Sequence, residues 1–119
     1  MAKVMPRIIR EYIQPSGRKP FRDWLLSLKD AKARVKLTIA IRRMETGHFG
    51  DTKALGDGLQ EHRLFYGPGY RIYYTLEKDE IIILFAGSSK ADQNRAISKA
   101  KQYLTEYKKG GSHAPYTRF

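Results

Sequence analysis

Apolar and polar residues alternate along LQEHRLF (59–65) and again along YRIYYTL (70–76), whereas EIIILFA (80–86) is apolar almost throughout. A period of two, dense in β-branched and aromatic residues, predicts strands. Polar breaks at Tyr66-Gly67-Pro68-Gly69 and Glu77-Lys78-Asp79 predict the tight turns that join them. The first two strands then offer one face to a core and one that presents Arg and Tyr side chains. The third has no polar face, which predicts a central strand or one covered on both sides.

Ahead of this meander the rhythm is helical. Phe21, Trp24, Leu25 and Leu28 form a stripe behind Pro20, a residue suited to the first helical position. That stripe makes Trp24 a core anchor rather than a platform for a nucleobase. Asp30 can cap a second helix reaching about Thr46, with Ala33, Leu37, Ala40 or Ile41, and Met44 buried. Lys32, Arg34, Lys36, Arg42 and Arg43 fill the remainder, either as a phosphate-binding face or as a solvated one. Residues 4–13, interrupted by Pro6, read as an edge strand, and 51–58 as a loop. Ser89 followed by Asp92 resembles a capping box for a last helix to about Lys108, burying Ile97, Ala100, Leu104 and Tyr107. The predicted order is β-α-α-β-β-β-α. It describes an α+β domain over 1–110 with a mostly antiparallel sheet, followed by a short tail, 111–119.

Length and composition narrow the function classes. A chain of 119 residues is one domain, and a domain of this size buries roughly two-thirds of its unfolded surface without needing staples. It has no cysteine, which excludes disulfides and thiolate metal sites and makes the cytoplasm the natural expectation. His48, His62 and His113 lack ligand spacing, so neither a metal nor a cofactor is expected. No stretch has signal-peptide or membrane-span character. The formal charge of +11 favours an anionic partner: nucleic acid, a ribosome-like surface or an acidic protein.

The polar residues of the meander are the candidates for chemistry: Glu61, His62, Arg63, Tyr66, Arg71 and Tyr73, with Lys90 just beyond it. Strand alternation puts Glu61 and Arg63 on one face and His62 on the other; Arg71 and Tyr73 likewise share a face. Which faces coincide depends on hairpin register, which a four-residue turn leaves open. Such a set suits RNA phosphodiester cleavage. The 2′-oxygen must lose a proton and attack its own phosphate, whose developing charge needs fixed donors. Arg63, Arg71 and Lys90 would meet that charge. Glu61 could act as base if it lies near the 2′-hydroxyl. Tyr66 or Tyr73 could stack on a base or orient the phosphate, and His62 could contact RNA. Each also has a plainer reading as an ion pair, a packed ring or a solvated residue.

The segments LQEHRLFYGPGYRIYY (59–74) and IIILFAGSSKADQNRAISKAKQYL (81–104), behind the PFRDWLLSL–DAKARVKLTIAIRRME hairpin, resemble RelE/ParE-type toxins. The resemblance is to the Gp49-like, HigB-type branch of addiction-module killer proteins, and it covers about residues 4–109. It implies a RelE-like fold and a type II toxin–antitoxin setting, with cleavage of mRNA in the ribosomal A site as the expected activity. Its partners would be the ribosome with its mRNA and a small antitoxin of helix-turn-helix type, with operator DNA reached only through the antitoxin complex; no membrane is involved. Phosphate contacts would fall on Arg63 or Arg71 and on Lys90, and Glu61 would be the base candidate. Where ribosome-dependent relatives often carry a Tyr near the C-terminus, this chain reads Ala96-Ile97. The ParE-like branch inhibits DNA gyrase instead, so gyrase binding is the alternative activity. A regulatory protein that binds only antitoxin or DNA is a third.

Overall fold

The computed structural model describes residues 6–110 and 116–119. Along the chain come β1 (Ile8–Tyr12), α1 (Pro20–Ser27), α2 (Ala31–Glu45), β2 (Asp51–Gly56), β3 (Leu59–Leu64), β4 (Tyr70–Glu77) and β5 (Ile81–Ser89). A 3-10 turn (Lys90–Asp92), α3 (Gln93–Gly110) and β6 (Tyr116–Arg118) complete it. The chain is α+β: one sheet in the order β2-β3-β4-β5-β1-β6, antiparallel except between β1 and β5.

The binary pattern explains the layers. Phe21 and Leu25 of α1, with Leu37, Ile41 and Met44 of α2, pack against Ile9, Ile72, Tyr74, Ile82 and Leu84 on one sheet face. Ala96, Ala100, Leu104 and Tyr107 of α3 cover the other, against Leu59, Tyr73, Ile83 and Phe85. The apolar β5 is therefore covered on both sides, as its sequence predicts. Burying each such large apolar side chain contributes about 1.5–3 kcal/mol. Pro20 opens α1, and Asp30 caps α2 by accepting from the amides of Lys32 and Ala33. Its other carboxylate oxygen accepts from the Tyr66 hydroxyl at 3.0 Å, tying the hairpin turn to the helix.

Four sequence expectations change. β1 is not an edge strand: it lies between β5 and β6, while Val4 falls outside the described residues. Residues 51–56 form β2, not a loop, paired with β3 from Asp51↔Arg63 to Gly56↔Leu59. The end of the chain returns as β6 beside β1, and the Phe119 ring lies against Phe21 and beneath the Arg22 guanidinium. Gly111 and His113 lie outside the described residues. Ser89 precedes a 3-10 turn and makes no side-chain cap, so the capping box is not formed.

Two features of β5 shape the sheet beside the helices. The β4–β5 register shifts between Tyr73 and Tyr74, whose partners are Ala86 and Leu84, which leaves Phe85 as the extra residue of a bulge. Phe85 and Ala86 thus both face α3. Gly87 then turns under Trp24: a Cβ there would stand 2.1–2.5 Å from indole carbons, so only glycine admits the ring.

Candidate functional site

The pleat and the β3–β4 register decide which polar groups meet. Arg63 lies opposite Arg71 and Glu61 opposite Tyr73, all on the face covered by α3, with His62 on the other face as alternation predicts. Glu61 is 1% exposed. Its carboxylate accepts from the Gln93 side chain at 2.9 Å and stands 3.8 Å from Arg71 Nε. The Arg71 side chain is itself nearly buried, so the ion pair works in a low dielectric and fixes the guanidinium. Tyr73 is fully buried, with its hydroxyl 3.1 Å from Ser88 Oγ. Burial, the largest influence, pushes the Tyr73 phenol up to about 12. The expected stacking role for Tyr73 is corrected: it has no exposed ring face to offer a base.

Arg71 and Lys90 come together at the turn. Both flank Gly69, Arg71 Nη1 and Lys90 Cβ each lying 3.6 Å from where a Gly69 Cβ would sit. The Lys90 amide donates to the Gly69 carbonyl, which anchors the start of the 3-10 turn on the β3–β4 connection. With Phe65, Tyr66, Gly67, Pro68 and Gly69 they line an open cleft of about 450 Å³. One cation is buried and held; the other is exposed. Tyr66 forms a wall, its phenol pKa raised first of all by the hydrogen bond it donates to Asp30.

The expected convergence of three cations is corrected to two. Arg63 Nη2 pairs with Asp51 at 3.1 Å, the guanidinium sits 6.0 Å from the Phe65 ring centre, and the residue lines a different cleft. That second cleft, about 750 Å³, also takes in His62, Lys36 and Arg43 and shares the Phe65–Tyr66 wall. Arg42 lines neither. It pairs with Glu45 and donates to the Phe119 carbonyl. Glu61 lines neither cleft. Sequence reasoning missed Gln93, Ser88 and Asp51, the partners of Glu61, Tyr73 and Arg63. Only Gln93 carried a signal, at the expected start of the last helix.

His62 is buried, its Nδ1 2.8 Å from the Phe49 carbonyl, so that nitrogen carries the proton and donates. Burial lowers its pKa below the ordinary 6.5, outweighing the Phe49 bond and the Asp51 charge. The unfolded chain therefore binds this proton more readily than the folded one. The stability that neutral His62 contributes is complete above about pH 6.5 and is lost as pH falls toward the folded value. Between about pH 7.5 and pH 5, the melting temperature of the wild type should fall more steeply than that of His62→Phe. Parallel curves would refute this.

None of the described helices is long and apolar enough to cross a membrane. No protein-family model matches the sequence. An uncharacterized protein of Haemophilus influenzae (strain ATCC 51907 / DSM 11121 / KW20 / Rd) is 38% identical over 86 residues, spanning 72% of this chain and 87% of that protein. At that identity and coverage, this chain belongs to the same family as the Haemophilus influenzae protein.

Proposed function

We propose that the protein is the toxin of a type II toxin–antitoxin module with a RelE-like topology, an endoribonuclease that cuts mRNA on the ribosome. The observation that carries the reading is the pair Arg71 and Lys90 on one cleft, with Arg71 held from behind by buried Glu61. Arg71 offers a fixed donor fork to a phosphoryl oxygen, and Lys90 a mobile point charge that can follow the leaving 5′-oxygen. Glu61 acts here by positioning Arg71 rather than by taking the 2′-proton, because its carboxylate is buried and already hydrogen-bonded. Tyr66 keeps its proton and orients the strand. Proton transfer then rests on water and the ribosomal RNA that aligns the substrate, which makes cleavage ribosome-dependent. The formal charge of +11 supports a polyanionic surface as the docking partner, and a cognate acidic antitoxin as the natural inhibitor.

The test is mRNA cleavage in a purified translation system. Wild type cuts; Lys90→Ala loses about 10²-fold or more, the scale of removing one transition-state donor. Intact mRNA with folded wild-type protein would end the reading. The cleft lining includes no carboxylate or imidazole, which favours gyrase inhibition as the second reading. A supercoiling assay run beside the translation assay separates the two.

A further inference from the structure

β1 and β5 are adjacent parallel strands whose following helices go to opposite faces of the sheet: α1 packs with Ile82 and Leu84, α3 with Ile83 and Phe85. Adjacent parallel strands that diverge in this way leave a crevice beyond their C-terminal ends, the place where open α/β sheets take ligands. Here the crevice is enlarged because β1 pairs only as far as Leu84, while β5 runs on to Ser89. It measures about 420 Å³, within the range of small-molecule sites, and shares no lining residue with the Arg71–Lys90 cleft.

Its walls are chemically sorted. Trp24 of α1, whose indole lies over Gly87, and Tyr103 of α3 contribute aromatic surface beside the backbone at Ala86–Ser88. Arg95 and Lys99, four residues apart on α3, line one side together. Among the described residues neither has an ion-pair or hydrogen-bond partner. Arg18, also in the lining, is already engaged by Asp23 at 3.4 Å. Asp92 adds a second carboxylate to the lining beside that of Asp23.

We propose that this crevice binds a nucleoside phosphate, with the base along Trp24 and Tyr103, the phosphate on Arg95 and Lys99, and Asp92 accepting from a hydroxyl or amine. A flat ring suits a crevice with two aromatic side chains in its lining, and two unpaired cations on one helix face suit a phosphate rather than a neutral group. The site is independent of RNA cleavage and stands whether or not that activity is found. The same chemistry arises from a free mononucleotide or from one nucleotide of an RNA chain.

Trp24 is the chain's single tryptophan, so one indole N–H resonance reports on the crevice. Titration with 5′-AMP should move it saturably, and adenosine or inorganic phosphate should bind more weakly than AMP. Arg95→Ala/Lys99→Ala, on an exposed helix face, should weaken AMP about tenfold and leave adenosine unchanged. Lys90→Ala should bind AMP like wild type. A trinucleotide RNA that displaces AMP assigns the source to RNA; AMP binding without displacement assigns it to the free nucleotide. No saturable shift with AMP, AMP binding unaltered by the double substitution, or phosphate alone binding as tightly as AMP would each overturn the proposal.

Discussion

Gly87→Ala should lower the stability of the protein by about 3 kcal/mol, the upper part of the usual cost of overpacking a close-packed site. The added methyl would stand 2.1 Å from an indole carbon, well inside van der Waals contact, and the ring is the body of a large side chain rather than a flexible tip. Trp24 is itself wedged beside Phe21 and Tyr70, at 5.8 and 6.2 Å between ring centres, so it has little room to retreat. Against a typical total of about 5–15 kcal/mol, that loss moves a urea midpoint far. Trp24→Leu in the same chain should relieve part of it. The double variant should therefore be more stable than the sum of the single costs by about 1 kcal/mol or more. Equal urea midpoints for wild type and Gly87→Ala would show that the ring is not packed on this backbone.

Arg71→Ala should cost about 3–5 kcal/mol of stability, quite apart from any effect on RNA. It strands Glu61, a carboxylate 1% exposed that accepts a hydrogen bond from the Gln93 side chain, without a counter-charge. The loss comes from an uncompensated buried charge, so removing both charges should recover most of it. Glu61→Leu/Arg71→Met should melt close to wild type while Arg71→Ala melts well below it. If the single and double variants were equally unstable, the ion pair would not be what holds this part of the sheet. The pair of variants also separates two roles that one substitution confounds. A folded double variant that fails to cut mRNA in the translation assay assigns the guanidinium to chemistry.

The meander was legible in the sequence because its constraint is local. Side chains at 59–65 and 70–76 alternate between the two faces of the sheet, and that alternation alone places Glu61 with Arg63 and His62 opposite. The expected presented face of Arg and Tyr is not there, because helices cover both sides and β4 is buried from Tyr70 to Thr75. Asp30 and Pro20 announced helix starts for equally local reasons. β2 was not legible: Asp51, Thr52, Lys53 and Ala54 bury no face, and backbone pairing with β3 holds the strand. The miss carried into the site, since Asp51 on that unseen strand holds Arg63 and leaves it lining the other cleft. β6, three residues long, is too short for any periodicity to register. The pairing of Arg71 with Lys90 at Gly69 depends on hairpin register and on a long-range amide bond, neither of which a window of sequence contains.

The insertion at Phe85 sets the phase of the rest of β5. Were β5 to keep strict parity beyond Leu84, Gly87 would look toward α3 and Ser88 would push its hydroxymethyl into the indole of Trp24. Tyr73 would then lose the hydroxyl that partners its own. Deleting Phe85 would instead leave a plain ladder, with Leu84 and Ala86 successive opposite Tyr74 and Tyr73 and with Gly87 and Ser88 still on their present faces. What the deletion removes is the aromatic ring that the bulge turns toward the last helix.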